Sequence, residues 1–183
     1  TYFRDLDIQN ATAHTQFTIN GVTYGRELFV SAPDQVIVLR LTASQKGKLN
    51  FSVSTQSPHP MTKQVLGKNE LSMRGKTPVH ADPNYVHYNA KPVYYDDPTG
   101  CKGVRFDWRV KVQTTDGKVT ADTSGISVSD ATEAILLVTA GTSFNGFDKC
   151  PDNQGRDEKA LAESYLKRAG AKPFDMILKA HIR

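Results

Sequence analysis

Two cysteines, a single tryptophan and no apolar run near the roughly 20 residues that cross a bilayer set the first limits on this 183-residue chain. The missing run excludes a helical membrane span. Lysine and arginine are scattered, with no basic block interleaved with aromatics. The formal net charge of +4 therefore gives no reason to expect nucleic-acid binding. No glycine-rich phosphate loop, internal repeat or low-complexity tract is present. No Ser-His-Asp or Cys-His arrangement has a supporting strand–turn–helix context. Cys101 and Cys150 could pair in an exported protein. Two buried or loop thiols are the other reading, and a metal site would need further ligands nearby. No leader is legible ahead of Thr1, which fits a processed mature protein, and strand-like sequence begins at once, which is the sharper sign of a fragment of a longer protein.

What is there is ordinary globular composition, 38% hydrophobic and 23% charged, enough for one sizeable core. Phe17, Ile19, Val22 and Tyr24 alternate around Asn20-Gly21, a pair suited to the positive φ angles of a tight hairpin turn. The continuous run Val36-Ile37-Val38-Leu39 predicts a strand buried on both faces. Further strands are expected at 2–8, 15–19, 27–31, 36–42, 49–53, 71–73, 104–112, 119–121, 126–128 and 135–139. A second hairpin is expected at Asp116-Gly117. Strands at this spacing without intervening helices predict a mainly β chain, an antiparallel β-sandwich over residues 1–145. Residues 146–183 read as a polar segment and two helices. One spans 156–168, with Leu161, Tyr165 and Leu166 as its stripe and Gly170 as C-cap glycine. The other starts at Pro173 and presents Phe174, Ile177, Leu178 and Ile182 with no evident partner.

The strand signal fades between Gly75 and Lys102. A loop this long inside a compact domain is expected to be functional or disordered, and it holds His80, Asp82, Tyr85, His87, Tyr88, Tyr94, Tyr95, Asp96 and Asp97. Metal binding by His80, Asp82 and His87 with Asp96 or Asp97 is chemically conceivable, but the spacing fits no defensible motif and no metal is expected. Trp108 shares a strand face with Phe106 and Val110, which favours core packing over a ligand platform. Glu27 reads as a structural charge on a strand.

Five ordered pieces carry a resemblance. They are Tyr2 to Ile8, Tyr24 to Ser31, Asp34 to Leu41, Gly103 to Phe106, and Ala134 to Phe144. Together they resemble the N-terminal β-sandwich domain of glycoside hydrolase family 95, the α-L-fucosidase family. The resemblance implies a super-sandwich scaffold beside a C-terminal helical barrel that holds the inverting chemistry. An inverting enzyme needs a general acid and a base-activated water. Those groups belong to the absent barrel, so no catalytic residue is carried onto this chain and no cofactor is expected. The two terminal helices would be the linker into the barrel, and the loop could rim its sugar cleft. His80, Asp82 and Tyr85 are then candidate sugar contacts, since aromatic faces suit sugar C–H groups and Asp and His bond hydroxyls. The glycan would be fucosylated, with α-L-galactose the close alternative, and the family implies export.

The chain departs from the family in lacking an earlier glycine-rich, asparagine-containing stretch. That predicts an incomplete sandwich with open edges and apolar surface, and hence self-association of the isolated chain. The alternative to an accessory domain is an autonomous carbohydrate-binding or structural β-sandwich module, which sugar titration would distinguish.

Overall fold

Alternating stretches of this sequence fold as strands, and the pairing registers sort their side chains onto two faces. A computed structural model describes residues 1–98 and 100–183. In chain order the strands are β1 (Tyr2–Asp7), β2 (Thr12–Ile19), β3 (Val22–Ser31), β4 (Val36–Ala43), β5 (Leu49–Val53), β6 (Met61–Val65), β7 (Glu70–Lys76), β8 (His80–Ala81), β9 (Val93–Tyr94), β10 (Arg105–Thr114), β11 (Lys118–Ala121), β12 (Ile126–Ala131) and β13 (Glu133–Thr142). Helices α1 (Glu158–Gly170) and α2 (Phe174–Ile182) follow. An eight-stranded antiparallel sheet runs β1-β2-β3-β4-β13-β10-β7-β6. A three-stranded sheet, β11-β12-β5, covers part of one face, and β8 and β9 form a separate two-stranded pair.

β13 shows how alternation builds two cores. Ala134, Leu136 and Val138 point toward the small sheet, joining Val110, Val112, Leu71, Ile126 and Val128. Leu137 points the other way and meets Phe29, Val36, Val38, Leu166, Ala169, Phe174 and Ile177 beneath the helices. Gly141 lies on that second face, where an added Cβ would stand 2.2 Å from the Glu158 carbonyl oxygen. Only glycine lets α1 settle that close. Trp108 packs against the first core, as its alternation with Phe106 and Val110 predicts.

The Asn20-Gly21 hairpin forms with both residues at positive φ, 50° and 75°, and Ile19 faces Val22 across it. The second expected hairpin does not form. The chain turns at Asp116-Gly117, but β10 pairs with β13 and β7 while β11 pairs with β12. The turn therefore crosses between sheets. Asp116 instead accepts hydrogen bonds from the Thr132 backbone N–H at 2.8 Å and its hydroxyl at 2.6 Å, which hold its carboxyl below the usual carboxylate range. Thr132 is where the chain crosses back from β12 to β13, so one carboxylate fixes both crossings.

The helices also differ from expectation. α1 runs to Gly170 itself and is capped by right-handed Ala171 rather than by a left-handed glycine. Its buried stripe is Glu158, Ala162, Leu166 and Ala169, while Leu161 and Tyr165 stay half-exposed. Small residues win the contact face because the helix lies close to the sheet. α2 has the partner the sequence did not reveal. Phe174 packs edge-on to Phe29, with ring centroids 5.6 Å apart, and the His181 ring stacks on Phe29 at 5.0 Å.

Candidate functional site

The described residues of the long segment between β7 and β10 form a flap. Thr77 N–H bonds the Val104 carbonyl at its base, where Gly103 is required because a Cβ would come within 2.0 Å of the Thr77 oxygen. β8 and β9 form its stem, extended by Val79 N–H to Tyr94 O and Asp82 N–H to Pro92 O. Lys76 pairs with Asp96 at 2.9 Å, and the His59 ring meets the Tyr95 hydroxyl at 3.3 Å.

The structure brings His80 and Asp82 together. His80 Nε2 lies 2.7 Å from Asp82 Oδ1, and Asn89 Nδ2 donates to the other oxygen at 2.7 Å. Asn89, then His80, hold the Asp82 carboxyl below the usual carboxylate range. Tyr94 stacks on the His80 ring at 5.1 Å. Tyr85 does not join them. It stands in the loop beyond the stem, 76% exposed, with Tyr88 85% exposed nearby. The metal ligand set does not assemble either. Asp96 turns to Lys76, and among the described residues no three His, Cys, Asp or Glu side chains converge. The geometry offers a hydrogen-bonded imidazole–carboxylate pair and two projecting phenols, groups that can bond hydroxyls.

Cys101 and Cys150 form a disulfide, their Cα atoms 5.1 Å apart. It ties the end of the flap to the segment that leads into α1. Arg105, the first residue of β10, reinforces the tie. Its guanidinium donates to the Pro151 and Asp152 carbonyls at 3.0 and 2.8 Å and pairs with buried Glu158 at 3.2 Å. Asp157 caps α1 by accepting from Ala160 N–H at 2.9 Å. Further along, Arg109 lies between Asp107 at 3.3 Å, Glu163 at 3.2 Å and Glu70 at 3.6 Å, and Ser72 donates to Asp107 at 2.7 Å. Sequence reasoning missed this polar layer. Its signal was there, in Asp107 and Arg109 alternating with Trp108 and Val110, but nothing in the pattern says that a helix covers them.

Glu27 is one of a row of charges on the helix side of the sheet. His14 stands 3.3 Å from Asp5 and 3.8 Å from Glu27, and Arg40 reaches Glu27 at 4.0 Å and Glu133 at 2.9 Å. Arg40 also lies over the Phe174 ring, 4.9 Å from its centroid, so the row helps seat α2.

Residues 1–146 match the family model described as glycosyl hydrolase family 65, N-terminal domain. A curated relative, alpha-L-fucosidase 2 of Arabidopsis thaliana, is 33% identical over 154 residues, covering 80% of this chain and 18% of the relative. A solved structure described as a kojibiose phosphorylase from human microbiome shares the fold at a TM-score of 0.62 and 12% identity, over 99% of this chain and 24% of the other. This chain thus spans about a fifth of the relative and a quarter of that structure. With a mainly β body, an eight-stranded antiparallel sheet and two C-terminal helices, it belongs to the N-terminal domain family of these glycosyl hydrolases.

Proposed function

We propose that this chain is the non-catalytic N-terminal domain of an α-L-fucosidase-like glycoside hydrolase. In this reading it scaffolds a C-terminal helical-barrel catalytic domain, and its flap rims that domain's sugar cleft. The observation that carries the reading is the clamp at Arg105 and Cys101–Cys150, which fixes the flap to the segment leading into α1. A flap so tied moves with the helices, and the helices would join the two domains. The 33% identity to alpha-L-fucosidase 2 supports fucosylated glycans as the substrate class. The disulfide supports export to an oxidising compartment.

In the longer enzyme, His80→Ala and Tyr85→Ala raise KM for a fucosylated oligosaccharide and leave kcat near wild type, as expected for groups that bind but do not react. Steady-state kinetics on the oligosaccharide checks this. Unchanged KM for both variants removes the flap from the cleft.

A further inference from the structure

On the helix side of the large sheet, two adjacent rows of paired residues cross β1 to β4 beside α2. One row is Asp5, His14, Glu27 and Arg40, and the other is Phe3, Gln16, Gly25 and Thr42. Each residue of the second row stands two positions along its strand from the first, so both rows share a face. Together they line a groove of about 490 Å³, within the roughly 300–1,000 Å³ of ligand clefts.

Three observations point to an occupant. Gly25 forms the floor. Its φ is not positive, and its pairing with β2 and β4 runs in unbroken register, so neither a turn nor a bulge calls for glycine. An added Cβ would stand 2.7 Å from the Thr42 hydroxyl oxygen and fill the floor. Glycine inside a regular strand marks a place that another group approaches closely. Glu27 stands at the centre, its side chain only 24% exposed. Its neighbours His14 and Arg40 lie at 3.8 and 4.0 Å, beyond hydrogen-bond reach, and it has no hydrogen-bond partner among the described residues. A carboxylate so far withdrawn from water normally has its lone pairs bonded. The Gln16 amide and the Thr42 hydroxyl border the same groove and are likewise unbonded among the described residues.

We propose that this groove binds a neutral saccharide. Asp5, Glu27 and Glu133 repel an anion. A cation meets Arg40, and two of the three carboxylates are already taken, Asp5 by His14 at 3.3 Å and Glu133 by Arg40 at 2.9 Å. The uncommitted groups are one carboxylate, one primary amide and one hydroxyl, a set of donors and acceptors that matches neighbouring sugar hydroxyls. Phe3, 59% exposed at the β1 end, adds a flat apolar wall for the C–H face of a sugar ring. The flap springs from β7 and β10, with β4 and β13 between it and β3. The groove is thus a second site, and it stands whether or not the flap rims a cleft.

The test is photo-crosslinking of the longer protein with diazirine-bearing L-fucose, D-galactose and D-xylose, read by peptide mass spectrometry. At least one probe is expected to label peptides of β1 to β4 and to be competed by the free sugar. Gly25→Leu, Glu27→Gln and Gln16→Ala are each expected to lower that labelling roughly tenfold with Tm unchanged, while His80→Ala and Tyr85→Ala in the flap leave it as it is. Gln16 is exposed, so its variant folds even if leucine at position 25 does not. Labelling confined to other peptides with all three probes overturns the proposal, as does labelling of β1 to β4 that the groove variants do not change. Binding of 1,4-diaminobutane that is lost in Glu27→Gln, with no sugar labelling of β1 to β4, also overturns it and makes the groove a cation site.

Discussion

Arg109 is the residue on which the seating of α1 depends. It is 3% exposed and touches three carboxylates, one of which, Asp107, is fully buried. Removing the cation leaves a buried charge whose remaining side-chain partner, among the described residues, is the Ser72 hydroxyl. Arg109→Met is therefore expected to cost about 3–5 kcal/mol in denaturant unfolding. The double variant Asp107→Leu/Arg109→Met is expected to recover part of that loss, since the unpaired buried carboxylate is gone and the Ser72 hydroxyl alone loses its acceptor. A single-variant loss within the range of a surface substitution would contradict the account. Lys76–Asp96 is the contrast, a pair whose carboxylate is 81% exposed and which adds little. Asp82 gives the pH prediction at this scale. Its folded carboxyl titrates below its unfolded value because Asn89 and His80 favour the charged form. The stabilisation is thus present above the unfolded value, about 3.9, and is lost as pH falls through the lower folded value. Protection of the flap stem, measured as exchange relative to the intrinsic amide rate at each pH, is expected to fall below about pH 4, and Asp82→Asn to remove that pH dependence.

At the scale of elements, the flap and its tether form one unit. The disulfide closes a loop of sequence separation 49, worth roughly 4 kcal/mol in the chain-entropy account. Its reduction is expected to speed exchange in residues 83–101 first, while β10 and β13 stay protected. Simultaneous loss of protection in the sheet would show that the tether holds the whole fold. Long alternating elements were legible in the sequence, β10 and the β2–β3 hairpin above all, because alternation and Asn-Gly are local signals. β6 was not. Met61–Val65 is a short, polar edge strand, and its composition resembles loop. β8 and β9 hold two residues each and exist only through their pairing. The sheet change at Asp116-Gly117 was hidden because a turn signal says where the chain bends and not which strand it then meets. His80 and Asp82 were legible as loop residues of useful chemistry, but their contact and the Asn89 bond depend on the fold of the flap.

At the scale of the molecule, one sheet has two different faces. The helix face is sealed by apolar contacts through Phe29, Val38 and Ile177 and by the ion pairs of Arg105 and Arg109. The other face is sealed at its β7–β10–β13 end and bare toward β1. In the reading proposed above, this arrangement holds the helices and flap in place beside a separate catalytic domain. The most direct test is release of L-fucose from an α-L-fucosyl oligosaccharide, measured side by side for the longer protein and for residues 1–183 alone. Fucose release by the longer protein only is the predicted result. Release by residues 1–183 alone would contradict a non-catalytic domain, and no release by the longer protein would contradict the fucosidase reading.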